Sequence, residues 1–197
     1  MAHNSANPED ARVRRTRDLL EQAVFALTVE KGFTSVTVSD ITQRARVNRS
    51  TFYRHYLDKH ELLERHLDDL QARVKAAAQR AEAVTVGSER VPAGLVVLLE
   101  HTHANGAFFA AMLGPKGDPA FTERFRRIAE ARYRTVLGRQ KTGGADSGDD
   151  LKVAYIAHAT VGAILWWLKQ KRPPTIEAFA VALSRLSMTV ATKAVKA

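Results

Sequence analysis

Hydrophobic residues recur at helical spacing along almost the whole chain. Leu63, Leu67, Leu70 and Val74 form one such stripe, which predicts a helix over residues 58–83. The same spacing predicts further helices over residues 92–104, 107–113, 118–140, 149–171 and 175–196. There are no repeats and no convincing strands, so the sequence predicts an all-α protein.

Two short helices are predicted near the N-terminus, separated by a tight turn. The first should begin at Thr37, whose side-chain oxygen can accept from a free backbone N–H, while Asp40 adds negative charge at the helix start. The chain then turns at Arg46, and Asn48 is a strong N-cap for the second helix. Phe52 anchors that second helix to the core. This arrangement predicts a helix-turn-helix.

Apart from Phe52, the second short helix carries short or basic side chains. These are Arg49, Ser50, Thr51, Tyr53, Arg54 and His55. Small polar tips suit base edges, whereas Arg, Tyr and His suit phosphate oxygens. Between Asp40 and Asp58 there are no acidic residues, so a polyanion can approach without repulsion. The predicted partner is double-stranded DNA.

An upstream basic cluster follows residues 1–11, which are predicted to be a disordered arm. Its members are Arg12, Arg14, Arg15 and Arg17. One interpretation places these arginines on phosphates or in an adjacent minor groove. The other makes them the solvated end of a helix, because a run of charges alone is weak evidence.

These residues resemble the DNA-binding domain of the TetR family of bacterial transcriptional regulators. The resemblance covers about residues 14–65. Its segments are specific in combination and spacing, and they include Ala45-Arg46-Val47-Asn48, Thr51-Phe52-Tyr53-Arg54-His55-Tyr56 and Asp58-Lys59. It implies that Tyr53, His55 and Lys59 hold the DNA backbone. The full set of predicted DNA contacts is Thr37, Arg46, Asn48, Arg49, Ser50, Thr51, Tyr53, Arg54, His55 and Lys59.

One position departs from the family pattern. Arg46 stands where the family often has glycine, and a non-glycine residue costs free energy if the turn needs a positive φ. Either a phosphate contact by Arg46 offsets this cost, or the turn differs slightly.

The length of 197 residues accommodates one small and one medium domain. We predict a helix-turn-helix domain over residues 12–57 and a helical ligand-binding and dimerisation domain over residues 58–197. The chain has no cysteine, so disulfides, zinc-thiolate sites and a nucleophilic thiol are excluded, and no metal or cofactor is predicted. The polar first ten residues contain no export signal, which predicts a cytoplasmic protein.

The net charge of +9 is not the reason to expect DNA binding. Residues 1–65 hold 11 Lys/Arg and 9 Asp/Glu, a net of +2, so most of the charge lies after them. A basic stretch later in the chain is predicted to lie on the solvated face of a helix. It contains Arg124, Arg126, Arg127, Arg132, Arg134 and Arg139.

The helix predicted over residues 149–171 is apolar almost all round, which indicates burial on several sides. Its apolar run is shorter than the roughly 20 residues of a membrane span, so we predict a protein surface as its cover and no membrane partner. The predicted dimer interface comprises Val161, Ile164, Leu165, Leu168, Phe179, Leu183 and Leu186. The resemblance implies that these stripes form half of an intermolecular four-helix bundle. Alternatively, they complete the core of a monomer.

The second domain also contains many aromatic residues and histidines, which suit an apolar pocket with a few polar tips. The predicted ligand contacts are His101, Phe108, Phe109, Met112, Phe125, Tyr133, Tyr155, His158 and Trp166. The alternative is that these side chains are core. By resemblance, the domain binds a small molecule that weakens DNA binding.

The sequence therefore predicts a homodimeric repressor that a small apolar or aromatic molecule releases from a palindromic operator. No Ser/His/Asp order, carboxylate pair or phosphate-cradling loop indicates an enzyme. Within DNA binding, the alternative is activation or an architectural role. Outside DNA binding, the alternative is a helical carrier or enzyme that has lost operator binding.

Overall fold

The computed structural model describes residues 8–81, 83–86, 89–138 and 147–192, which are mostly helical. The all-α prediction is confirmed. In chain order the elements are α1 (Pro8–Lys31), a 3-10 turn (Phe33–Ser35), α2 (Val38–Ala45), α3 (Arg49–His55), α4 (Lys59–Arg80), β1 (Ala83–Val86), β2 (Glu89–Pro92), α5 (Ala93–Ala104), α6 (Gly106–Met112), α7 (Pro119–Gly138), α8 (Ser147–Leu168) and α9 (Ile176–Thr192).

The chain divides into two compact units between His66 and Leu67. The N-terminal unit contains α1 to α3 and the start of α4, which continues into the C-terminal unit. Helical stripes build the core of the N-terminal unit, and its fully buried side chains include Leu20, Val24, Ile41, Phe52 and Leu62.

The C-terminal unit is a bundle in which α8 packs against α6, α7 and α9. Asp118 caps α7 as its sequence position suggests, because its Oδ1 accepts a 2.8 Å hydrogen bond from the Phe121 amide. The Trp167 ring is fully buried, stacks on Phe179 with ring centroids 4.6 Å apart, and donates from Nε1 to the Pro174 carbonyl. These contacts join the end of α8 to the start of α9.

The expectation of no strands is wrong for residues 83–86 and 89–92. β1 and β2 form an antiparallel hairpin in which Val84 lies opposite Val91, and Val91 is fully buried. β-Branched residues favour a pleated strand, but four residues are too few for a period to show in the sequence. The preceding helix accordingly ends at Arg80 rather than at residue 83.

The predicted disordered arm is too long. α1 already begins at Pro8, and proline is favoured at the first position of a helix because its missing N–H has no partner there in any case. Residues 1–7 lie outside the described residues. Most of the flexible loop predicted at residues 142–148 also lies outside them, and α8 begins at Ser147.

Within α8, the 19-residue stretch Asp150–Leu168 is long and apolar enough to cross a membrane by length and composition alone. Core helices of soluble bundles meet the same criterion. In the structure α8 buries Val153, Ile156, Ile164 and Trp167 within the C-terminal unit. The chain itself therefore buries one side of α8, whereas Leu151, Tyr155 and Trp166 remain exposed.

Candidate nucleic-acid interface

The start of α2 is fixed by the capping arrangement that the sequence predicts. The Asp40 amide donates to Thr37 Oγ1 at 3.2 Å, and the Thr37 amide donates to Asp40 Oδ2 at 2.8 Å. Lys31 Nζ donates to the same carboxylate at 2.7 Å. These hydrogen bonds, led by the one from Lys31, hold the pKa of Asp40 well below its usual range. Thr37 is exposed, but its amide and its side chain already bond to Asp40 in this cap.

The turn between α2 and α3 has the strained conformation anticipated for Arg46. Its φ is 54° and its ψ is 42°, which is the left-handed region, and its amide donates to the Gln43 carbonyl at 3.2 Å. A non-glycine residue costs about 1–2 kcal/mol in this conformation. The Arg46 side chain is exposed on the surface of the turn.

The recognition helix α3 begins as predicted, with Asn48 in the extended N-cap conformation. The Asn48 carbonyl accepts from the amides of Thr51 and Phe52, although its side chain makes no capping bond. Phe52 is fully buried and packs against Tyr56, with ring centroids 5.7 Å apart. Burial of this one face leaves the opposite face of the helix outward.

The structure brings the predicted contact residues of α3 together on that outward face. Arg49, Ser50, Tyr53 and Arg54 are exposed, and Thr51 and His55 are half-buried. Two contacts order the face: Arg49 Nη2 lies 3.4 Å from Tyr53 Oη, and Arg54 Nη2 donates to Thr51 Oγ1 at 3.2 Å.

His55 sits in a positively charged environment at the end of α3. Partial burial lowers the pKa of His55, and the neighbouring Arg17, Arg54 and Arg65 lower it further. The imidazole is therefore largely neutral near pH 7, which suits hydrogen bonding to a phosphate more than charge pairing with it.

Lys59 opens α4 as the resemblance requires, but its ammonium group is engaged within the N-terminal unit. Nζ donates to the carbonyls of Phe33, Thr34 and Val36 at 2.8, 3.1 and 2.8 Å. It also lies 4.6 Å from the centre of the Phe33 ring. An ammonium has three donors, and all three point at these carbonyls. Contact between Lys59 and the DNA backbone stays a prediction.

Two other arginines near the helix-turn-helix have internal partners that the sequence does not reveal. Arg44 forms a bidentate ion pair with Glu30 at 2.8 and 2.6 Å, and Arg17 Nε lies 3.4 Å from Tyr56 Oη. The stretch from Asp40 to Asp58 is therefore less positive in space than in sequence. Arg46, Arg49 and Arg54 form no ion pair with any described residue and supply the positive charge of the face.

The C-terminal unit contains a cavity of about 680 Å³. Its described lining comprises Gln71, Val74, Lys75, Ala78, Gln79, Ala83, Arg90, Pro92, Gly94, Ile128, Ala131, Arg132, Thr135, Ser184 and Met188. None of the nine predicted ligand residues is among them. The cavity could not be found from the sequence, because ten of its fifteen described lining residues come from α4, the hairpin and α9, which sequence spacing does not bring together.

The predicted ligand residues are dispersed instead. Five of them are buried in the core, namely Phe108, Phe109, Met112, Phe125 and Tyr133. Tyr155 and Trp166 are 60% and 54% exposed. His101 Nδ1 lies 2.9 Å from Arg73 Nη2, and His158 is at the edge of a separate cleft of about 410 Å³.

The basic stretch on α7 is only partly solvated. Arg127 and Arg134 are exposed as predicted, whereas Arg126, which pairs with Glu123 and Glu130, is half-buried. Arg132, by contrast, is 6% exposed, so its predicted place on the solvated face is wrong. It falls on the inward stripe of α7. Arg139 lies outside the described residues.

The predicted dimer residues lie at different depths. The structure buries Val161, Ile164, Phe179 and Leu183 within the chain, and Leu165 and Leu168 are half-buried. Leu186 is 68% exposed. Much of the apolar stripe therefore completes the core of the C-terminal unit, while a second stripe faces outward.

An exposed polar recognition helix held by a buried aromatic anchor, followed by a separate helical unit with a cavity, defines a helix-turn-helix regulator of transcription. Residues 19–65 match the bacterial regulatory proteins of the tetR family, and residues 89–189 match a family described as transcriptional regulator C-terminal region. The second match alone spans more than half of the chain. The chain belongs to the TetR family of DNA-binding transcriptional regulators, which confirms the resemblance.

Similar proteins include regulators and a solved structure. YxbF of Bacillus subtilis (strain 168), an uncharacterized HTH-type transcriptional regulator, is 45% identical over 56 residues, which is 28% of this chain and only 15% of that protein. TcmR of Streptomyces glaucescens, an HTH-type transcriptional regulator, is 26% identical over 84% of this chain and 79% of its own length. A TetR regulator from Streptococcus agalactiae 2603V has 27% identity and a TM-score of 0.64, covering 91% of this chain and 97% of that one.

Proposed function

We propose that the protein is a cytoplasmic, homodimeric repressor that binds a near-palindromic operator and is released from it by a small molecule. The observation that carries the proposal is the outward face of the recognition helix α3. Two side-chain contacts order this face, Arg49 with Tyr53 and Arg54 with Thr51. The exposed cations Arg49 and Arg54 lie on it, and Arg46 lies in the turn before it. Regulators of this family are normally not enzymes, and the roles proposed below need no catalytic group.

Readout and positioning belong to different residues of this face. Arg49 and Thr51 lie near the N-terminus of α3, the end that contacts base edges in helix-turn-helix proteins. Tyr53 is half exposed and His55 lies at the last turn, where phosphate contacts are common. Arg46, projecting from the turn, adds charge beside them.

A second copy of the chain is the proposed cover for an outward apolar stripe. Leu151, Tyr155 and Trp166 on α8 are 61%, 60% and 54% exposed, and Leu186 on α9 is 68% exposed. Gly162 lies on the same face of α8, and a Cβ added there would meet nothing within 4 Å. Two such faces can approach closely in an isologous dimer, which would present two α3 helices about 34 Å apart to successive major-groove faces.

The proposed effector site is the cavity of about 680 Å³, whose volume is in the range of small-molecule pockets. A ligand need only favour the conformation that binds DNA poorly, and a coupling of about 1–3 kcal/mol is ordinary. The effector response needs no contact between ligand and DNA.

DNA binding is tested by fluorescence anisotropy with the DNA flanking the protein's own gene and a scrambled duplex. We expect selective binding with an even number of chains per site. Arg49→Ala or Thr51→Ala should change the preference among operator variants, whereas Tyr53→Phe should weaken binding to all duplexes by a similar factor. Equal weak binding to both duplexes, followed by failure to select any site from a genomic library, would favour the carrier alternative.

The dimer is tested by sedimentation of Trp166→Glu and Leu186→Glu. Either change should shift the protein toward monomer, because it places a charge in the proposed apolar interface. Val29→Glu, at a 49%-exposed position in the N-terminal unit, is the matched control. If both interface variants sediment like the wild type, this face is not the dimer contact.

A further inference from the structure

Arg132 is a buried cation without a full set of partners. It is 6% exposed, and its Nε and Nη2 atoms have no hydrogen-bond acceptor among the described residues. A guanidinium carries five N–H donors and stays charged at neutral pH. Leaving such donors unmet in a protein interior costs free energy, so the group requires an acceptor that the described residues do not supply.

The guanidinium is held in place by the ring beneath it. The Arg132 Cζ atom lies 3.7 Å from the centroid of the Tyr133 ring, a cation–π contact. The Tyr133 hydroxyl lies 2.7 Å from Ser187 Oγ and 3.3 Å from Thr160 Oγ1. Arg132 is also one of the residues that line the cavity.

The cavity around Arg132 is positively charged. Lys75 and Arg90 also line it, and its described lining contains no aspartate or glutamate. Burial lowers the pKa of Arg132, which shows how little of the charge is compensated locally. An anion in the cavity would be attracted by Lys75, Arg90 and Arg132, and no described lining residue would repel it.

The remaining walls are largely apolar. They include Val74, Ala78, Ala83, Pro92, Ile128, Ala131 and Met188. A simple inorganic anion would leave this surface without a partner, and a neutral apolar molecule would leave Arg132 unpaired. The walls and the cation together select a molecule with an apolar body and an anionic end.

We propose that the cavity binds an amphipathic carboxylate whose carboxylate group pairs with the guanidinium of Arg132. The planar guanidinium fork matches a carboxylate in a bidentate arrangement. The role of this molecule as effector rests on the proposed function, whereas its binding to the cavity does not. The occupant would contact Val74, Lys75 and Ala78 of α4, the helix that begins in the N-terminal unit, and so can bias both units.

The first test is calorimetric binding of matched pairs to the full-length protein: decanoate with decanol, and 2-naphthoate with 2-naphthamide. In the pair that fits the cavity, the carboxylate should bind at least tenfold more tightly than its neutral partner. Arg132→Met should abolish that preference. Arg127→Met, an exposed position on the same helix, should retain it. Equal binding of the neutral partner, an unchanged preference in Arg132→Met, or no carboxylate binding at 1 mM would overturn the proposal.

Thermal unfolding separates a ligand-binding role of Arg132 from a structural one. Without ligand, Arg132→Met should have a Tm at or above that of the wild type, because an apolar side chain replaces an unpaired charge of similar length. The carboxylate should raise the Tm of the wild type only. If Arg132→Met does not fold, Arg132→Lys, which keeps the charge and loses the fork, should bind the carboxylate more weakly. Full affinity in Arg132→Lys would contradict bidentate pairing.

The same ligands are then added to the protein–DNA complex. Carboxylate binding that leaves DNA affinity unchanged would support the site and contradict its effector role. Release from DNA by both members of a pair, with Arg132→Met behaving like the wild type, would support effector control and overturn the carboxylate assignment.

Discussion

The two units of this protein differ in how they hold a cation of low exposure, Lys59 in the N-terminal unit and Arg132 in the C-terminal unit. In the N-terminal unit, Lys31 pairs with Asp40, Arg44 pairs with Glu30, and Lys59 donates hydrogen bonds to three carbonyls. In the C-terminal unit, Arg132 is buried with two nitrogen atoms unmet. Paired charges give the helix-turn-helix a fixed shape before DNA arrives. The incompletely paired Arg132 is instead the basis for the ligand proposed for the second unit.

The largest expected effect is that of Lys59→Met. It removes three charge-assisted hydrogen bonds to carbonyls that have few alternatives, so we expect a loss of about 3 kcal/mol in the free energy of unfolding. Urea denaturation followed by circular dichroism measures it. Lys75→Met, at an exposed position of the same helix, should change stability by less than about 0.5 kcal/mol.

If Lys59→Met proved as stable as the wild type, the bonds from Lys59 to the three carbonyls would not stabilise the N-terminal unit. The lysine would then be available to DNA. Anisotropy at a temperature where the variant is folded separates the two roles. A uniform loss of affinity for all duplexes in the folded variant would support the phosphate contact that the family resemblance implies.

A pH titration of stability tests Asp40 as a paired group. Because its pKa is lowered in the folded state, its contribution is complete above the ordinary pKa of an aspartate and is lost as pH falls through the lower folded value. Asp40→Asn should therefore unfold more easily than the wild type at pH 6 and lose less stability toward pH 2. Parallel curves for the two proteins would show that the carboxylate is not a partner of Lys31 and Thr37 in solution.

Arg46→Gly should affect stability and binding in opposite directions. Glycine relieves the left-handed strain, so we expect a gain of about 1 kcal/mol in unfolding free energy. Loss of one exposed cation should weaken DNA binding and reduce its salt dependence. A gain in stability with unchanged DNA affinity would show that no contact between Arg46 and DNA offsets the strain. Arg46→Ala, which keeps the strain and removes the cation, is the control.

The smallest expected effect is a pH dependence of DNA binding through His55. Its pKa is lowered in the free protein, and phosphate would raise it in the complex, so affinity should increase as pH falls from 7.5 to 5.5. A gain of about threefold is expected for one such group. His55→Phe should remove it, and His158→Gln, on the exposed surface of α8, should not. Persistence of the pH effect in His55→Phe would assign it to another group.

The parts of the site set by neighbouring residues could be predicted from the sequence. The cap at Thr37 and the burial of Phe52 each follow from a few adjacent side chains. The conformation of Arg46 was left open, because only the glycine of the family pattern suggested a positive φ there. The Lys59 bonds could not be predicted, because Phe33 and Lys59 are 26 residues apart and meet only in the folded unit. The hairpin was missed because its strands have four residues each.

Arg132 is a different case, since its signal was present. Phe125, Ile128, Ala129 and Arg132 follow the i, i+3, i+4, i+7 spacing of a buried stripe, and the first three are buried. Grouping the arginines of α7 by charge concealed this periodicity. A charged residue in phase with an apolar stripe is more informative than a run of charges, because burial of its cation requires a partner.

Tyr133 has a consequence for how such a regulator can evolve. Its hydroxyl contacts Thr160 on α8 and Ser187 on α9, and its ring supports Arg132. One side chain therefore joins the proposed ligand site to the two helices of the proposed dimer face. A mutation at Tyr133 would alter sensing and assembly together, so natural selection could not adjust the two properties independently at this position.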